Sequence, residues 1–239
     1  MAEQLTFALP HRTARGREDF FVSPANALAV ATIEGWAHWP QGKLVLVGPE
    51  GAGKTHLAHV WADLADARIV DAGDLAGADI PALARLRALA VEDADRLAGD
   101  RACEEALFHL HNLLLAEGGV LLLTARRAPR GWPLRLADLK SRVEGTATAT
   151  LAPPDDALLG ALLVKQFADR QLAIAPPLVS YLVGRMERSS AAARDIVAAL
   201  DRRALATGRR INRTLAAELL DNRDAGARHM SSPRYRDSS

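Results

Sequence analysis

The sequence predicts an α/β fold, a parallel sheet flanked by helices, followed by a small all-helical domain. Three observations carry this. A glycine-rich loop, Gly48-Pro49-Glu50-Gly51-Ala52-Gly53-Lys54-Thr55, joins the apolar run Lys43 to Val47 to a helical pattern over Thr55 to Ala62. Short apolar runs then alternate with amphipathic segments, as expected of strands covered on both faces by helices. After Pro153-Pro154-Asp155 the strand signal stops and only helical patterns follow.

Residues 1–17 read as a loose arm, polar and basic apart from Leu5 to Leu9. Ser23-Pro24 offers a helix N-cap followed by proline at the first position, so a helix is expected from about Ala25 to Trp36. Pro40-Gln41-Gly42 turns the chain into the strand before the loop. Ala67 to Val70 is a second strand, Leu83 to Leu86 part of a brief helix, and Ala88 to Asp93 an apolar strand ending in two acids. Ala102 to Ala116 places Leu107, Leu110 and Leu114 on one stripe, and Gly118-Gly119 stops that helix. Val120 to Thr124 and Thr148 to Leu151 complete the strands. The α/β domain is thus expected over 18–152. Helices over Asp155 to Asp169, Pro177 to Arg188, Ser190 to Ala206 and Thr214 to Leu220 make a second domain over 153–220, and the polar residues 221–239 are expected to be disordered.

With 30 basic and 29 acidic side chains the net charge is +1, so no global field draws the chain to nucleic acid or membrane. The single cysteine, Cys103, excludes a disulfide framework. No apolar stretch is long enough to span a bilayer and no hydrophobic leader opens the chain, which implies a cytoplasmic protein.

The loop carries the chemistry. Gly51 and Gly53 let the backbone bend until its N–H groups converge on one anion, and the following helix adds its positive end. Lys54 would reach the β- and γ-phosphates of a nucleoside triphosphate, and Thr55 would ligate Mg²⁺. Glu92 and Asp93, 38 and 39 residues beyond Lys54, fit the second half of such a site. One acid holds hydrated Mg²⁺, Glu92 by position, and its neighbour orients the attacking water; which acid does which stays open. Thr124 either touches the γ-phosphate or simply closes its strand. Arg142 lies outside these strand ends and could reach a neighbouring subunit. Arg194 could fold back onto the phosphates, and Arg135 reads as a surface residue. His56, His59, His109 and His111 lack the spacing of a metal-ligand set.

Taken in this order, the motifs resemble the AAA+ module of the DnaA/Hda family of bacterial replication proteins, over about Phe20 to Leu220. Val47 to Leu57 is similar to the family's phosphate loop, which implies nucleotide contacts along Gly48 to His56. Leu89 to Gly99 is similar to its Walker B segment, Leu139-Lys140-Ser141-Arg142 to its arginine-finger box, and Ala193-Arg194-Asp195 to its sensor 2 box. Gln4-Leu5-Thr6-Phe7-Ala8-Leu9 is similar to the clamp-binding peptide of Hda-type members, implying contacts from Gln4, Leu5, Phe7 and Leu9. Residues 71–88, 18 in all, are too few for the insertion with which the initiator grips single-stranded DNA. The 19 residues after Leu220 fall short of its helix-turn-helix domain.

The resemblance therefore implies a regulator of the Hda type. Its partners would be DnaA and the sliding clamp (the β subunit of DNA polymerase), with self-association possible through the AAA+ interface and no sequence-specific DNA contact. Arg142 would act in trans on the ATP of DnaA, and the chain's own hydrolysis would be weak. The alternatives are a DnaA-like or helicase-loader-type ATPase that binds DNA, through Arg202, Arg203, Arg209, Arg210 and Arg213, and a DnaA-binding protein without catalytic effect.

Overall fold

The computed structural model describes residues 21–230, and side chains as far as Asp221. Gln4, Leu5, Phe7 and Leu9 therefore lie outside the described residues. The elements run α1 (Ala27–Glu34), β1 (Lys43–Val47), α2 (Lys54–Ala65), β2 (Arg68–Asp71), α3 (Ile80–Ala84), β3 (Ala88–Glu92), α4 (Arg101–Ala116), β4 (Val120–Ala125), α5 (Ala137–Glu144) and β5 (Thr148–Thr150). Helices α6 (Asp156–Ala168), α7 (Pro176–Val183), α8 (Ser190–Thr207) and α9 (Arg213–Met230) follow.

The five strands form one sheet in the order β2-β3-β4-β1-β5, every neighbouring pair parallel. Alternation along β1 sorts its side chains between two layers. Val45 and Val47 join Leu89, Val91, Leu121 and Leu123 under α4 and α5. Leu44 and Leu46 join Ala88, Ala90 and Leu122 under α1 and α2. Because both faces are covered, the central strands carry almost no polar residues, which is why they read as unbroken apolar runs. A third cluster, centred on Leu163, Phe167, Ile196, Val197 and Leu200, joins α6, α7, α8 and α9.

Local chemistry sets the helix ends. Asp100 accepts from the N–H groups of Ala102 and Cys103 at the start of α4, Asp155 from Leu158 at α6, and Ser189 from Ala192 at α8. Gly208, at φ +63°, ends α8 in the left-handed region.

Three expectations shift. Helix α1 begins at Ala27 with Asn26 before it, not at Ala25 behind Ser23. The Asn26 side chain instead accepts from Ser23 N and donates to Phe21 O, folding 23–26 into a turn. Helix α5 was absent from the sequence reading, which assigned no element there. It is short and polar, and only Leu139 and Val143 are buried, an i, i+4 pair that gives no sustained periodicity. Helix α9 continues to Met230, past Leu220 where the expected disorder begins.

Candidate functional site

The adjacency of β3, β4 and β1 brings three expected groups together at the carboxyl edge of the sheet, where open α/β sheets hold their ligands. The loop Gly48 to Gly53 leaves β1 there. Gly51 sits at φ +74° and Gly53 at φ +104°, backbone conformations open to glycine. Lys54 opens α2, is 7% exposed, and donates from Nζ to the carbonyls of Gly48 (2.8 Å) and Pro49 (3.0 Å). Burial pulls its pKa below the usual lysine value, and the charges of Asp93 and Asp95 work against that pull. Thr55 is exposed on the first turn. Glu50 reaches toward Arg126, 3.8 Å away.

Glu92 ends β3, and its Oε1 is buried without a hydrogen-bond partner. Asp93 takes a left-handed conformation, φ +53°. Its N–H donates to Thr124 Oγ1 at 3.0 Å, and its carboxylate meets Arg96 at 3.2 Å. Thr124, 1% exposed, thus fixes the turn after β3; it does not close its own strand, which runs one residue further to Ala125. Asp95, given no role of its own within the segment Leu89 to Gly99, also has a buried, unpartnered oxygen, and its charge acts on Lys54. Its signal was position alone, three residues beyond Glu92 in a tight turn.

Two lone carboxylate oxygens at the end of β3, one of them on Asp95 whose charge reaches a lysine bonded to its own loop carbonyls, are what a magnesium–phosphate group would complete. The residues fit that group: Thr55 and Glu92 would hold the ion, and Lys54 would exchange its carbonyl partners for phosphate oxygens.

The second domain meets the loop directly. Ser190 N donates to Gly51 O at 3.0 Å, and a Cβ at Gly51 would lie 2.3 Å from Ser189 Cβ. Arg194 follows on the exposed side of α8, one turn from that contact. In the sequence Ser189-Ser190 marks only a break between two helices, because nothing local signals a partner 138 residues away.

Arg142 stands apart from this set. It lies on α5, exposed, with its guanidinium 5.5 Å from the centre of the Phe108 ring. Its carbonyl accepts from Lys43 Nζ at 3.3 Å, and Lys43 is the first residue of β1. The phosphate loop leaves the far end of that strand, roughly 13 Å away at about 3.3 Å per residue. His56 is half-buried on α2, behind Thr55.

The architecture has close counterparts among solved structures. Domain III of the Thermotoga maritima replication initiation protein DnaA superposes with a TM-score of 0.76 over 90% of this chain and 98% of that one, at 19% identity. The fold is that of the AAA+ module. A DnaA bound to AMPPCP and single-stranded DNA superposes at 0.65, covering 77% of this chain and 63% of that one at 20% identity. In sequence, the chain is homologous to the chromosomal replication initiator DnaA of Thermomicrobium roseum, 29% identical over 235 residues and 88% of this chain. The chain spans about half the length of that curated relative. No family model matches it. Among the described residues, no helix is long and apolar enough to cross a membrane.

Proposed function

We propose that this chain is a nucleotide-binding AAA+ adaptor of the Hda type, which promotes hydrolysis of ATP held by DnaA at the DNA-loaded sliding clamp and so restrains replication initiation. The observation that carries the reading is the placement of Arg142. An exposed guanidinium on α5, about a strand's length from its own phosphate loop, is suited to a nucleotide on another molecule. Supplied across an interface, an arginine stabilises charge on the transferring phosphoryl group and can be worth ~10³–10⁵ in rate.

The cis site then serves as a sensor. Gly48 to His56 hold ADP or ATP, Thr55 and Glu92 the Mg²⁺ that screens its phosphates, and Arg194 reaches back from α8. Since α8 touches Gly51, the state of the loop sets the attitude of the helical domain. Gln4, Leu5, Phe7 and Leu9 anchor the clamp.

The DnaA-like reading, an ATPase that turns over its own nucleotide on DNA, rests on the homology and on the unpartnered oxygens of Glu92 and Asp95 at the end of β3. Its DNA surface is less favoured. Arg209 and Arg203 are engaged by Glu218, and Arg213 packs on Tyr181.

The decisive measurement is phosphate release from ATP-loaded DnaA with clamp on DNA. The unaltered chain is expected to stimulate it, Arg142→Ala to lose most of that stimulation, and Gln4→Ala to lose its dependence on the clamp. No stimulation by the unaltered chain removes the adaptor reading. Steady clamp-independent turnover by the chain alone, unchanged in Arg142→Ala, establishes the second.

A further inference from the structure

At the amino ends of β1 and β4, on the edge away from the phosphate loop, lies an open cleft of about 610 Å³. Lys43, His111 and Arg142 line it together with Trp36, Gln41 and Asn112, and no carboxylate does. Lys43 is 6% exposed, and among the described residues it makes no ion pair. Its ammonium donates to His111 Nε2 and to the Arg142 carbonyl, both at 3.3 Å, which leaves one of its three N–H groups over. A buried cation beside a second cation, without a counter-charge, is costly unless something negative completes it.

The polar contacts agree on the sign of that ligand. His111 Nε2 accepts from Lys43, so the proton sits on Nδ1 and points to Asn112 Oδ1 at 3.3 Å. With its oxygen so used, the Asn112 amide keeps its NH₂ as a donor. Lys43, Asn112 and Arg142 therefore all present N–H groups, and the cleft is larger than one phosphate needs.

We infer that this cleft is a second anion site, built by Lys43, Asn112 and Arg142 to take a free di- or triphosphate group. A lysine point charge and an arginine fork together are the usual pair for phosphate oxygens. The site is separate from the loop of Lys54 and stands whether or not Arg142 acts on DnaA.

The test uses the full chain with Lys54→Ala, which silences the phosphate loop, titrated with tripolyphosphate. Trp36 at the cleft reports by fluorescence, and a Trp36→Phe control assigns the signal. Saturable binding is expected, weakened about tenfold or more by Lys43→Gln, Asn112→Ala or Arg142→Gln, each removing one contact. Thermal melts check that the variants fold, and the exposed Arg142→Gln keeps the test valid if Lys43→Gln does not. If tripolyphosphate does not bind saturably, or binds all three variants unchanged, the inference is overturned.

Discussion

His111 is 4% exposed, faces Lys43 and Arg142, and carries no compensating carboxylate in its hydrogen bonds. Burial first, then the Lys43 charge, holds its pKa down to about 4, against 6.5 for an ordinary imidazole. Between those two pH values the unfolded chain binds a proton that the folded chain refuses. The contribution to stability is therefore complete above about pH 6.5 and is lost as pH falls toward 4. Urea denaturation at pH 7.5 and pH 5 should show a loss of about 2 kcal/mol on acidification, and His111→Gln should lose less by most of that amount. An equal loss in both proteins would place the acid sensitivity elsewhere.

Among the elements, α5 matters most for the trans reading, and its position depends on one buried acid. Glu104, on α4 and 1% exposed, accepts from the backbone N–H groups of Gly99, Arg135 and Leu136, the last two leading into α5. A carboxylate satisfied by several N–H groups holds a segment more firmly than packing alone, and removing it strands those donors. Glu104→Ala should lower unfolding stability by about 3 kcal/mol in chemical denaturation, with Glu104→Gln intermediate. If Glu104→Ala is as stable as the unaltered chain, the approach to α5 is held by Leu139 and Val143 instead.

The whole molecule turns on the junction between sheet and helical domain. Gly51 is required there twice, once by its φ of +74° and once by Ser189, whose Cβ leaves no room for another. Gly51→Val should therefore weaken nucleotide binding and loosen the helical domain together, since the strained loop must move off α8. Hydrogen exchange over 189–194 should quicken in that variant even without nucleotide. Weakened nucleotide binding with unchanged exchange at α8 would mean that the two domains are not coupled through this contact.

How far the sequence reached follows from the range of the forces involved. The loop, the strands and their alternation with helices were legible, because period, glycine placement and apolar runs are local properties. The turn at Asn26, the polar helix α5 and the extension of α9 were not. Their shape depends on hydrogen bonds to Phe21 and Ser23 in the first case, and in the second on packing of two residues against a core assembled from distant strands. Glu92, Asp93 and Thr124 were named from strand ends. Only the sheet order put β3, β4 and β1 side by side so that Thr124 could hold the turn at Asp93. Asp95 had only its position after Glu92 to mark it, and the Ser189–Gly51 contact and the Lys43–His111–Arg142 cleft had no local signature at all. The sequence by itself determined a phosphate-cradling loop on a parallel sheet, since covalent order dictates strand, loop and helix. The tertiary structure decided which residues meet across 31 to 138 positions of chain, and that Arg142 meets the end of β1 opposite its own loop, because only packing brings remote segments together or sets them apart.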